Sequence, residues 1–327
     1  MRLRLTFFAL SIAALAPPAH AGTINAIYAF GDSLSDAGNV FIADGGTEPA
    51  SPYSGGRFTN GNVWVQDLAS MLGLPAVTAS LSGGTDYAFG GALSGNANPG
   101  DLTSQLAAFQ AANPVANPNG LYTIWIGSND INAILEGGPN NLAAIVGNID
   151  NAVTTLAGDG ANDVLVLTVP DLGKTPAAIA GGPAAVAGAS ALSAAFDNAL
   201  ASSLTSIAAS DSALDLSVLD TYSLLDGIVA DPAASGFTNV TQPCLTGEVN
   251  YAGGTPCATP GSYLFWDQLH PTAVGQQIVA DEAFALITPE PGSASLIALG
   301  LVTLGIAGRP RKRIIKYAKP GRVAAKA

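Results

Sequence analysis

The stretch Ala26-Ile27-Tyr28-Ala29-Phe30-Gly31-Asp32-Ser33-Leu34-Ser35-Asp36-Ala37-Gly38-Asn39 decides how this 327-residue chain is read. Its opening, Ala26 to Phe30, is an apolar, aromatic-rich run of strand length, and Gly31-Asp32 breaks it. Ser33 therefore stands at the carboxyl end of a strand, where backbone N–H groups and the start of a helix face a developing negative charge. Gly-Asp-Ser also makes ordinary turns and helix caps, so the serine acquires meaning only with a partner. Between its two ends the chain has a single histidine, His270, within Trp266-Asp267-Gln268-Leu269-His270-Pro271. A hydrolytic serine needs a base that titrates near neutrality, and imidazole is the side chain whose unperturbed pKa suits that task. Asp267, three residues earlier, is close enough to accept the Nδ1 hydrogen and leave Nε2 as the base. The elbow pattern G-x-S-x-G is absent from the chain, which argues against the usual α/β-hydrolase architecture.

Outward from this stretch, apolar β-rich runs alternate with longer amphipathic or Ala-rich ones. Strands are expected at Ala26 to Phe30, near Tyr87 to Phe89, at Tyr122 to Ile126, Val164 to Thr168 and Leu216 to Leu219. Helical pattern fills Val63 to Leu72, Leu102 to Ala111, Leu142 to Leu156, Ala189 to Ala208 and Ala273 to Ile287. This alternation implies a parallel sheet between helices, with ligands at the carboxyl ends of the strands. Thr175 to Gly188, rich in Ala, Gly and Pro, reads as a mobile loop. Asp231 to Ser262 is a long Pro, Gly and Thr-rich stretch placed to wall or cover the cleft beside His270.

Both ends separate from this body. Met1 to Ala21 combines Arg2 and Arg4, an apolar run from Leu5 to Ala16 and the small-residue end Ala19-His20-Ala21, the pattern of a secretory signal. At the other end, Thr288-Pro289-Glu290-Pro291-Gly292 leads into an apolar stretch within residues 293–308, followed by Arg309, Arg311, Lys312 and Arg313. About 15 apolar residues is short of the ~20 that a stable span needs. The body, residues 22–288, keeps only Arg57 and Lys174 among the 12 basic residues but 23 of the 24 acidic ones, a net charge of −21. So acidic a domain repels nucleic acid and anionic membrane surfaces. Cys244 and Cys257 are the only cysteines; in an exported chain a pair so close in sequence is most simply a disulfide. One histidine and two cysteines do not make a usual zinc site.

The tail, with Pro289-Glu290-Pro291, a short apolar helix and an arginine-rich end in order, resembles the PEP-CTERM sorting signal of Gram-negative bacteria. That resemblance implies an exosortase-type processing enzyme as partner, transient inner-membrane contact, and an extracellular or cell-surface destination. The body resembles the SGNH (GDSL) hydrolases in four ordered blocks. These are Gly31-Asp32-Ser33-Leu34-Ser35 with Asp36-Ala37-Gly38-Asn39; Asp86-Tyr87-Ala88-Phe89-Gly90-Gly91-Ala92; Gly127-Ser128-Asn129-Asp130; and Asp267-Gln268-Leu269-His270-Pro271. Gly56-Arg57-Phe58-Thr59-Asn60-Gly61 with Val63-Trp64 is similar to the subgroup of secreted phospholipases, haemolysins and autotransported esterases. The resemblance implies an α/β fold, a three-layer α/β/α flavodoxin-like sandwich with a parallel sheet. It also implies Ser33 as nucleophile, His270 as base, Asp267 as its orienting carboxylate, and an oxyanion hole from the N–H groups of Ser33 and Gly91 with the Asn129 amide. Asp86 stands where that family often has asparagine, which leaves the choice between Gly90 and Gly91 open. The expected activity is cofactor-free hydrolysis of carboxylic esters, of a lipid or an acylated sugar. A polysaccharide O-acetyl esterase and a non-catalytic matrix or adhesion protein are the alternatives.

Overall fold

In the computed structural model, residues 24–95 and 98–288 are described. The expected signal over residues 1–21 and the expected tail over 289–327, with its apolar segment 293–308, lie outside them. Four parallel strands form the central sheet: β1 (Ala26–Gly31), β2 (Gly120–Trp125), β3 (Asp163–Leu167) and β4 (Asp215–Leu219), side by side in that order. Each return to a parallel neighbour needs a crossover, and helices supply them. The helices are α1 (Asn39–Ala43), α2 (Trp64–Met71), α3 (Leu102–Ala112), α4 (Ser128–Leu135), α5 (Leu142–Asp159), α6 (Pro176–Ala180), α7 (Pro183–Ser210), α8 (Thr221–Ala230) and α9 (Ala273–Ile287).

The sheet is apolar on both faces because both are covered, so its strands read as continuous apolar runs. Phe30, Tyr122, Ile124, Val164 and Val166 face one core with Phe109 of α3, Ile131 of α4, Ile149 of α5 and Phe196 of α7. Ile27, Ala29, Trp125, Leu165 and Leu167 face the other with Leu68 of α2 and Ala280 of α9. The result is the expected three-layer α/β/α sandwich.

Three expectations are corrected. Residues near Tyr87 to Phe89 form no strand. They bond β1 only intermittently, through Ala29 N–H to Thr85 O (3.0 Å), Tyr87 N–H to Ala29 O (2.7 Å) and Phe89 N–H to Gly31 O (3.1 Å), before the turn at Gly90-Gly91. Thr175 to Gly188 is helical rather than a mobile loop: Thr175 caps α6 by accepting from Ala178 N–H, and prolines stand in the first turns of both α6 and α7. Asp231 to Ser262 carries short strands, β5 (Asn239–Pro243), β6 (Leu245–Thr246) and β7 (Thr255–Pro256), with β5 pairing β8 (Tyr263–Phe265). None of its residues lines the pocket bordered by Ser33, Asn129 and His270.

Candidate active site

Beyond β1 the chain makes a tight turn in which the Asp32 carbonyl accepts the N–H groups of Ser35 and Asp36, both at 3.1 Å. Gly31 permits it. A Cβ there would lie 2.3 Å from the Trp125 carbonyl oxygen, and the Gln105 side chain pins both Gly31 backbone groups, at 2.9 and 2.7 Å. This turn presents Ser33 to the histidine segment, where its Oγ lies 2.8 Å from His270 Nε2. His270 Nδ1 in turn lies 2.7 Å from Asp267 Oδ2. The other carboxylate oxygen, Oδ1, accepts the backbone N–H groups of Leu269 (2.8 Å) and His270 (2.7 Å). Strand β8 delivers this segment, and Trp266 N–H bonds back to the His270 carbonyl at 2.8 Å, closing the turn that holds the acid against the imidazole.

All three side chains are buried. Burial disfavours the Asp267 carboxylate, but the His270 imidazole and three hydrogen bonds outweigh it and hold Asp267 below the ordinary carboxylate range. Burial likewise disfavours a charged His270. Asp267, with Asp32 and Glu248 farther off, outweighs it and raises the imidazole above its ordinary value. Asp32 itself is pushed up to about 7 by burial, against the opposing pull of its Leu34 N–H bond and of His270. Its Oδ2 has no partner among the described residues.

The second block is tied to the first through carboxylates. Asp36 accepts from Gly38, Asn39, Val40 and Gly90 N–H groups, and Asp86 from Ala37 and Ala88. Asn39 Nδ2 donates to the Asp86 and Ala88 carbonyls. Gly90 N–H is thus spent on Asp36 at 2.9 Å, whereas Gly91, an exposed residue at φ +76°, has an N–H with no acceptor among the described residues. Ser33 N–H likewise has none. Asn129 is the second residue of α4, which Gly127 and Ser128 begin at the carboxyl side of β2. One of its amide hydrogens is held by the Ala92 carbonyl (3.0 Å), which aligns the group and leaves the other hydrogen for the pocket that Asn129 lines.

Ser33, Asn129 and His270 border one pocket, ≈ 800 Å³ of empty space with its mouth included. Leu172 from beyond β3, Leu224, Leu225 and Ile228 of α8, and Leu264 and Phe265 of β8 make its walls apolar. Cys244 and Cys257 are joined in a disulfide. The loop that they close lies behind the histidine, where Tyr251 packs on the His270 ring at 5.7 Å and Phe58 at 5.3 Å. Tyr53 adds a contact that the sequence reading did not find: its hydroxyl lies 2.8 Å from Asp267 Oδ2 and 2.7 Å from Glu248 Oε2. Among the described residues, no group of three or more His, Cys, Asp or Glu side chains is arranged to hold a metal.

A serine hydroxyl on an imidazole that is bonded to a carboxylate, at the carboxyl end of a parallel sheet, is an arrangement suited to acyl transfer. The chain belongs to the GDSL-like lipase/acylhydrolase family, whose model matches residues 27–283. Residues 288–312 match the PEP-CTERM protein-sorting motif, a signal of export. The thermolabile hemolysin of Vibrio parahaemolyticus is 28% identical over 79% of this chain and 63% of its own length. Esterase EstA of Pseudomonas aeruginosa is 29% identical over 84% of this chain and 48% of its own. Phosphatidylcholine-sterol acyltransferase of Aeromonas hydrophila is 31% identical over 46% of each. The chain therefore spans between about half and two thirds of the length of these relatives. A crystal structure of a lipolytic G-D-S-L family protein from Veillonella parvula aligns with 80% of this chain and 98% of its own, at 17% identity and a TM-score of 0.44.

Proposed function

We propose that this protein is an exported serine esterase of the lipase type that hydrolyses carboxylic esters through an acyl-enzyme. The observation that carries the reading is the continuous chain from Ser33 Oγ to His270 Nε2 (2.8 Å) and from His270 Nδ1 to Asp267 (2.7 Å) at the edge of an apolar pocket. Ser33 Oγ attacks the ester carbonyl as Nε2 takes its proton. The tetrahedral oxyanion faces the Ser33 and Gly91 N–H groups and the Asn129 amide. His270 then protonates the leaving alcohol, and water activated by the same nitrogen releases the acid. Asp267 keeps the proton on Nδ1 and stabilises the imidazolium.

The pocket supports a lipid acyl group over an acetyl group. An acetyl group reaches little of the apolar wall, whereas each methylene of a longer chain gains ~0.8 kcal/mol by burial against Leu224, Leu225 and Ile228. The polysaccharide O-acetyl esterase is accordingly the weaker reading. Export is supported by the sorting motif, with an exosortase-type enzyme as the processing partner and the cell surface or medium as destination. The test is hydrolysis of nitrophenyl esters of increasing chain length by the full chain, with a Ser33→Ala control and an organophosphonate label. We expect labelling at Ser33 alone, loss of turnover in Ser33→Ala, and kcat/KM rising from acetyl to longer chains. Turnover that survives Ser33→Ala sinks the mechanism; a preference for acetyl favours the matrix-sugar esterase.

A further inference from the structure

Asp267 accepts four hydrogen bonds. Two come from backbone N–H groups and one from the imidazole; the fourth donor is Tyr53, which approaches the same Oδ2 that the imidazole uses. The Tyr53 hydroxyl also touches Glu248 Oε2. A hydroxyl carries one proton, so it donates to one of these carboxylates at a time. Glu248 reaches this position from within the disulfide-closed loop. That loop is bound to the Tyr53 segment by Ala50 N–H to Tyr251 O (2.9 Å) and Gly253 N–H to Ser51 O (3.2 Å). Asn250 and Tyr251 occupy left-handed backbone conformations, at φ 50° and 56°, an arrangement that persists in a residue such as Tyr251 where surrounding contacts enforce it.

We propose that Tyr53 and Glu248 are positioning residues that set the basicity of His270 through Asp267, the single Tyr53 proton being divided between the two carboxylates so that Glu248 limits the share that Asp267 receives and keeps Asp267 a strong acceptor for the imidazole. This rests on the triad reading above. The groups facing His270 are Ser33 and Asp32 from the end of β1, Asp267 from its own turn, Glu248 and Tyr251 from the disulfide loop, and the Phe58 ring. Among these charges Glu248 is the one that an exchange can remove without entering the pocket or the Ser33–His270–Asp267 chain. With Glu248→Gln the Tyr53 proton goes to Asp267 and a negative charge near the imidazole disappears; both make protonated His270 less favourable. Tyr53→Phe removes a donor from Asp267 and makes protonated His270 more favourable.

The experiment compares the full chain with Glu248→Gln and Tyr53→Phe in two ways. In the first, kcat/KM is measured against pH. The acid limb should shift ~0.5 unit lower in Glu248→Gln and ~0.5 unit higher in Tyr53→Phe, with KM for a short ester unchanged because neither residue lines the pocket. In the second, the far-downfield Nδ1 proton of His270 is followed by NMR through a pH titration in a Ser33→Ala background. The same opposite shifts are expected there with no turnover at all, so a failure of the esterase reading leaves this result standing. Limbs and titrations that coincide in all three proteins, or that move in the same direction in both variants, overturn the proposal. Should Tyr53→Phe not fold, Glu248→Gln, an exchange on a partly exposed loop residue, still decides it by moving downward or not at all.

Discussion

At the scale of single residues, Asn129 is where geometry and chemistry meet most directly. Its amide has two hydrogens, and the Ala92 carbonyl takes one (3.0 Å), so the side chain is oriented before substrate arrives. Asn129→Ala should therefore lower kcat ~100-fold while KM stays within about two-fold, since an oxyanion donor acts mainly in the transition state at ~3 kcal/mol. Steady-state kinetics on a nitrophenyl ester checks this; a loss confined to KM would remove Asn129 from the oxyanion hole. Ser33, Asp267 and His270 can be nominated from sequence because each proposed role admits few residue types and one histidine leaves a single candidate for base; the structure brings the three side chains together. Gly90 and Gly91 are not separable in sequence; the Gly90 N–H bond to Asp36 leaves Gly91 as the one offered in the proposed oxyanion hole. Tyr53 carried no signal at all: it lies 214 residues from Asp267 and 195 from Glu248, and only folding brings the three together.

Among the elements, most of the long, strongly patterned ones lie within a few residues of expectation, whereas the longest helix, α7, starts at Pro183 rather than Ala189. Helix α9 runs Ala273–Ile287 as expected, and β3 Asp163–Leu167 within one residue. Helices α4 and α8 went unread. Both follow closely on strands, and α8 opens on Asp220, whose carboxylate caps it by accepting the Ser223 N–H, a local start signal in the sequence that the pattern of apolar runs alone does not register. The disulfide loop was expected over the cleft and instead supports the acid and base from behind. This relocation changes what reduction should do. Opening a loop of 13-residue separation costs about 3 kcal/mol in the chain-entropy model. Cys257→Ser should thus lower Tm by ~5–10 °C and reduce kcat, with KM for a short ester unaffected. Calorimetry paired with kinetics decides between positions: a lid would move KM, a support behind His270 moves kcat.

For the whole molecule the governing feature is buried acid in an acidic body. Burial pushes Asp32 and Asp197 up to about 7, and each has a carboxylate oxygen without a partner among the described residues. Asp86 is raised well above its ordinary 3.8 by burial and the neighbouring Asp36 charge. A carboxyl with a raised folded-state pKa holds its proton in the folded chain where the unfolded chain releases it. Stability is accordingly lost as pH rises from about 4 to about 7. Asp267, lowered by His270, works the other way, but only as pH falls through the region below 3.8. The full chain should melt on the order of 5 °C higher at pH 5 than at pH 8, and Asp32→Asn should flatten part of that slope. A Tm equal or lower at pH 5 would show that these carboxyls ionise at their ordinary values.

The amino-acid sequence by itself determined the layered α/β class and the acidic body, and it nominated the serine, histidine and aspartate on which the proposed mechanism rests. Periodicity, charge and the scarcity of chemically competent residues are local or additive properties that survive without coordinates. Only the tertiary structure decided which glycine N–H is left for an oxyanion, that α8 walls the pocket, and that the disulfide loop stands behind His270 with Glu248 and Tyr53. Those are contacts between segments as much as two hundred residues apart, and no short-range pattern encodes a distance that the packing of the whole chain sets.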